Sequence, residues 1–209
     1  MYPTLFSPLQ VGTHELRNRV VHTATVSGYG ANTRPSNRLI DYHRARAAGG
    51  TAMIVTELMP VHPTSLANPF LVSLFDEDNL DSLKRWADAV ESEGCRLVGQ
   101  LGHVGRQQLW SPLATPVSAS ARPDPLSWTV PHKMTVGEVE EIVASFVDAA
   151  DRLQRAGFSG VELHGAHGYL LTQFMSPFSN DRDDKYGGSI ESRAQFAGEI
   201  ISRARKRVG

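Results

Sequence analysis

Cysteine is nearly absent from this sequence. Cys95 is the only one in 209 residues, so no internal disulfide can form, and a reducing, cytoplasmic setting is the expectation. An excess of one charge is missing too: 21 basic residues face 22 acidic ones, a formal net charge of -1. That balance gives no electrostatic reason to expect nucleic acid or an anionic membrane as a partner. The N-terminus, MYPTLFSPLQVGTHELRNR, has no basic region followed by an apolar run, and no stretch reaches the length of a membrane helix. Neither a signal peptide nor a membrane partner is expected. Short solenoid-type repeats are absent, as are an HExxH motif and cysteine pairs, so no metal is expected. The remaining composition, 41% hydrophobic and 21% charged, suits a soluble globular protein with a substantial core.

Strand and helix signals alternate along the chain. Residues 8 to 17 read as a hairpin turning at Gly12. Arg19 to Ala24 then form a first strand, and Asn37 to Ala48 a helix ended by Gly49 and Gly50. Thr51 to Leu58 is a near-continuous apolar run of the kind buried in parallel sheets, ended by Pro60 and Pro63. A second helix starts in the acidic segment Asp76 to Asp78, which complements a helix N-terminus, and sets Leu80, Leu83, Ala87 and Val90 on one face. Arg96 to Leu101 is the third strand. Residues 107 to 134 hold five prolines, at positions 112, 116, 123, 125 and 131, and read as a long loop or small subdomain over a site. A capping box from Thr135 to Glu138 opens a third helix with Val139, Ile142, Val143, Phe146, Ala150 and Leu153 at helical spacing. The last helix runs from about Ser189 to Arg207 with Ile190, Ala194, Ala197, Ile201 and Ala204 inward. The fold class is therefore α/β, with four strand and helix pairs.

The stretch from Phe158 to Ser192 carries the chemistry. Alternation places Ser159, Val161 and Leu163 on one side of a short strand and Gly160, Glu162 and His164 on the other. The chain breaks at Gly165, and His164, His167 and Tyr169 follow within six residues, at the strand end where α/β proteins place catalytic groups. A histidine at a strand end is by itself more often a satisfied surface or core side chain. Two histidines three residues apart can also share a metal ion, but no further ligand pattern accompanies them.

The run HGAHGYLLTQFMSPFSNDRDDKYGGSIESR resembles the signature of the Old Yellow Enzyme family, flavin-dependent oxidoreductases on a (β/α)8 TIM barrel. Three more stretches match in order: LFSPLQVGTHELRNRVV, YHRARAAGG and QLGHVGR. The resemblance implies FMN at the C-terminal mouth of the barrel, hydride taken from NAD(P)H, and reduction of an activated alkene as small-molecule substrate. His164 and His167 then hold a carbonyl or nitro oxygen, His164 also borders the cofactor, and Tyr169 supplies the proton as general acid. Gln100 reads the pyrimidine edge of the flavin with one donor and one acceptor. Thr23, Ala24, Thr25 and Val26 lie beside the ring, and Met59 approaches it from the second strand.

This sequence departs from many relatives in that loop. They read Ala-Pro-Met or Ser-Pro-Met followed by Cys or Thr; here Thr23-Ala24-Thr25-Val26 stands, and Val26 offers no hydrogen bond to tune the flavin. His103 and Arg106 read as structural at least as readily as catalytic. Asp181 to Lys185 reads as a solvated turn, and Trp110 and Trp128 either line a pocket or pack on their own loop.

A complete barrel of this type needs about 250 residues. The 209 residues are thus expected to be its N-terminal half, one domain truncated to about four units, with a homo-oligomer or a missing C-terminal half covering the open strand edges. The strand-five arginine and the phosphate-binding loops of relatives fall outside it. Three other readings stay open: an amine dehydrogenase or N-demethylase on the same fold, a metal-dependent barrel hydrolase using His164, His167 and Glu162, and a non-catalytic interaction module.

Overall fold

The computed structural model describes residues 2 to 109 and 115 to 209. Pro112 and Trp110 of the long loop lie outside them.

The chain opens with an antiparallel hairpin, β1 (Leu9–Val11) and β2 (His14–Leu16), turning at Gly12 with φ +57°. It sits under the N-terminal ends of the parallel strands. Arg17, just after it, donates to the carbonyls of Ala47, Thr51 and Glu93, and a ring nitrogen of His14 lies 3.0 Å from the Ser159 carbonyl. One arginine thus gathers orphaned carbonyls from three neighbouring segments.

The four βα units follow. β3 (Val21–His22) leads to α1 (Asn37–Ala48), capped by the Ser36 hydroxyl, which accepts the Leu39 N–H. β4 (Met53–Pro60) leads through short 3₁₀ turns to α2 (Leu80–Glu91). β5 (Arg96–Gly102) precedes the long loop, where β6 (Val117–Ser118) pairs with β7 (His132–Lys133), and then α3 (Val136–Arg155) begins at the expected capping box. β8 (Gly160–Leu163) is followed by α4 (Leu170–Met175) and α5 (Ile190–Val208). The sheet order is β3-β4-β5-β8, all parallel and in chain order, as in consecutive units of a (β/α)8 barrel.

The main core lies between this sheet and its helices: Ile54, Met59, Leu97 and Leu101 from strands meet Leu83, Trp86, Val90, Val143 and Phe146 from helices. Val161 and Leu163 pack against it as alternation requires.

Several expectations are corrected. The first strand is only two residues long, because the chain leaves β4 after His22 and turns over the mouth. β4 runs on through Pro60, whose missing N–H costs nothing at a strand end. α4, a single short helix inside the signature stretch, was not foreseen. The inner face of α5 is Phe196, Ile200 and Ala204, while Ile190 and Ile201 are exposed. The charge run is solvated only in part: Asp181, Asp183 and Lys185 are exposed, but Arg182 is buried, donates to the carbonyls of Ala119 and Met134, and pairs with Asp184 at 2.5 Å. A guanidinium with five donors can join the long loop to the α4–α5 segment in a way no apolar side chain could.

Candidate active site

The register of β4 decides which side chains reach the mouth. Val55 pairs with Val98 but Leu58 with Gln100, so β4 carries one residue more than β5 between these positions. The Thr56 hydroxyl accepts the Gln100 N–H at 3.0 Å where the ladder is interrupted. Beyond this bulge the alternation is reversed. Leu58 faces the mouth, and Met59 is fully buried among the helices. Met59 is therefore core packing and not a lining residue.

At the C-terminal ends of the strands a cleft of about 220 Å³ is lined by Ala24, Thr25 and Val26 after β3, Glu57 and Leu58 of β4, Gln100 of β5, and His164, His167 and Tyr169 after β8. Ala67, Asn68 and Leu71, from the loop after β4, close one side. Thr23 is exposed and lies outside this lining. The cleft thus gathers Ala24, Thr25, Val26, Gln100, His164, His167 and Tyr169 from three separate segments.

His164 extends the β8 ladder, its N–H donating to the Leu101 carbonyl, and is 8% exposed. His167 Nδ1 lies 3.1 Å from His164 Nε2, and the Tyr169 ring stands edge-on to His164 with centroids 5.1 Å apart. Burial, then the neighbouring His167, lowers the His164 pKa below the ordinary imidazole value. His167 adopts φ +56°, a left-handed conformation that costs a non-glycine residue about 1 kcal/mol. Gln107 holds it there, donating to the carbonyls of His167 and Gly168.

Behind this turn stands Gln173. Its Nε2 donates to the carbonyls of Val104 and Gly168, and its Oε1 accepts from the Arg106 N–H and the Ser118 hydroxyl. Gly105, at φ +61°, lets the chain pass close by: a Cβ there would sit 2.1 Å from Gln173 Oε1. His103 and Arg106 belong to this supporting layer. His103 Nδ1 accepts the Gly105 N–H and its Nε2 meets the Thr64 hydroxyl, while Arg106 donates to the Pro123 carbonyl. Trp128 is 78% exposed and does not line the cleft.

Gln100 Nε2 donates to Glu162 Oε1 at 2.7 Å, which leaves its carbonyl oxygen and a second N–H for a ligand. Glu162 is thereby turned toward Gln100, and among the described residues no group of three or more His, Cys, Asp or Glu is placed to hold a metal ion. Glu57, Leu58, Ala67, Asn68 and Leu71 were not foreseen in the lining. Glu57 had a signal, a lone carboxylate within the apolar run TAMIVTELM.

The sequence profile of the NADH:flavin oxidoreductase / NADH oxidase family matches residues 4–209. The chain is 42% identical over 214 residues to an NADH oxidase of Thermoanaerobacter brockii, covering 100% of this chain and 33% of that one. Its structure resembles that of 2-naphthoyl-CoA reductase in complex with 2-naphthoyl-CoA, with TM-score 0.95 and 33% identity, covering 100% of this chain and 34% of the other. An Old Yellow Enzyme from Pichia sp. AKU4542 superposes with TM-score 0.92 at 29% identity, covering 99% and 57%. The chain spans about a third to three-fifths of the length of these relatives. No helix among the described residues is long and apolar enough to cross a membrane. With the profile covering nearly the whole chain, this protein belongs to the NADH:flavin oxidoreductase / NADH oxidase family, whose members use FMN with NAD(P)H as hydride donor.

Proposed function

We propose that this chain supplies the catalytic face of an FMN-dependent oxidoreductase that reduces an activated alkene at the expense of NAD(P)H. The observation carrying this reading is the convergence of His164, His167 and Tyr169 on the cleft that also contains Gln100. The cleft fits a flat heteroaromatic ring: Ala24, Val26 and Leu58 offer apolar surface, the Gln100 amide offers a donor and an acceptor, and the buried Glu57 Oε1 lacks a partner.

FMN, when bound, supplies hydride chemistry that no side chain possesses. The chain's residues do the rest. Ala24, Thr25, Val26 and Gln100 would hold the ring. His164 and His167 would bind the carbonyl oxygen conjugated to the alkene and stabilise the negative charge that builds there. Tyr169 would deliver a proton from its hydroxyl to the carbon next to that carbonyl. 2-Naphthoyl-CoA, the ligand of one structural relative, is itself an unsaturated ring conjugated to a thioester carbonyl, which supports a substrate of this class.

The test is anaerobic spectroscopy of the purified protein with FMN. NAD(P)H should bleach the bound flavin, and an enone should restore its colour. Bleaching by a methylated amine without NAD(P)H would replace this reading with amine oxidation.

A further inference from the structure

The bulge in β4 turns two sequence neighbours, Glu57 and Leu58, onto the same cleft. Glu57 is 1% exposed. Its Oε2 accepts the Ser27 N–H at 2.6 Å, the Ser27 hydroxyl at 3.2 Å and the Gly28 N–H at 3.3 Å, fixing the end of the loop that carries Ala24 to Val26. Its Oε1 is buried without a partner. No cation is among the groups acting on this carboxyl, and burial raises its pKa above the usual carboxylate range against the pull of the three donors. A carboxyl buried without a counter-charge is most stable as the neutral acid. Since Oε2 is already occupied by donors, the proton belongs on Oε1. The other titratable groups around the cleft are His164, His167 and Tyr169.

We propose that Glu57 is a flavin-binding residue: a neutral carboxyl whose Oε1–H donates to an acceptor atom on the edge of the ring, while Oε2 holds Ser27 and Gly28 in place. This rests on the reading that FMN occupies the cleft. It adds a contact from β4, which β5 separates from the strand leading to the histidine pair, and it makes one side chain both a wall support and a ligand.

The test uses the purified protein and two variants. FMN affinity is followed by quenching of flavin fluorescence, and the carboxyl by infrared difference spectra of protein with and without FMN. E57Q keeps a carbonyl for Ser27 and an N–H where the acid O–H stood, so its affinity should stay within about three-fold of the parent's, whereas E57L should bind about ten-fold more weakly. The parent should show a protonated-carboxyl band that shifts on flavin binding and vanishes in E57Q. Should E57L fail to fold, judged by circular dichroism without flavin, E57Q and the infrared band decide alone. No such band, or an E57Q loss of ten-fold or more, overturns the proposal, as does a folded E57L that binds as the parent does. A parent protein that takes up no FMN overturns the functional reading as well; a parent that binds while the Glu57 results fail overturns this inference only.

Discussion

His164 and His167 share a hydrogen bond, Nε2 to Nδ1 at 3.1 Å, and that bond limits what the pair can offer a substrate. Each neutral imidazole carries one N–H. One of the two is spent between the rings, so the outer nitrogens present one donor and one bare acceptor. A second donor requires one more proton on the pair, and burial holds His164 below its ordinary pKa of 6.5. Affinity of the flavin-loaded protein for an ionised phenol should therefore rise as pH falls below about 6.5. In H164N, whose amide takes no proton, the rise should flatten. An absorbance titration at several pH values measures both.

In the proposed reaction Tyr169 moves a proton and has no part in taking hydride from NAD(P)H. Y169F should leave flavin reduction by NAD(P)H within about two-fold and slow reoxidation by an enone about a hundred- to ten-thousand-fold. Stopped-flow measurement of the two half-reactions separates them. Equal slowing of both would assign Tyr169 to flavin placement instead.

Gln173 joins Val104, Arg106, Ser118 and Gly168 through one buried amide. Q173L strands the Arg106 N–H and the Ser118 hydroxyl without water, at about 1 to 3 kcal/mol for each group, while the Val104 and Gly168 carbonyls keep Gln107 as a donor. Urea unfolding should show a loss on the order of 3 kcal/mol, and the histidine turn should lose definition with it.

Two buried histidines make the fold acid-sensitive. Burial, with His22 and Arg46 adding to it, lowers His43 to about 3; burial, with His62 adding to it, lowers His103 to about 3. The unfolded chain protonates both below about 6.5, whereas the fold resists until about 3, so protons favour unfolding between those values. Stability is full above 6.5 and falls as pH drops toward 3. Each histidine contributes a slope of at most about 1.4 kcal/mol per pH unit. H43Q, whose carbonyl can still accept the Trp86 Nε1–H, should flatten the dependence by about one proton in unfolding curves at pH 7 and pH 4.5.

Much of this architecture was readable from local signals. The α1 boundaries, the capping box of α3 and the inward side of β8 follow from capping chemistry and period-two alternation, which act within a few residues. What escaped reading depends on pairing or volume. Met59 was misplaced because a bulge exists only between two strands, and one inserted residue reverses every side chain beyond it. The face of α5 was misjudged because its alanines mark a stripe weakly; the bulk of Phe196, stacked on Phe174, sets the rotation. Arg182 looked solvated because a charged residue in a polar run gives no sign of the buried carbonyls waiting for it.

The loops after β3 and β4 are woven into one another at Thr33. Its N–H donates to the Pro69 carbonyl, and its own carbonyl accepts from the Ser73 N–H and from Asn79 Nδ2. The segment carrying Val26 and the segment carrying Asn68 and Leu71 therefore form one interchangeable cassette. Transplanting a relative's version of either loop alone would leave the other with severed bonds, so a graft meant to change what enters the cleft has to carry residues 23 to 36 and 61 to 79 together.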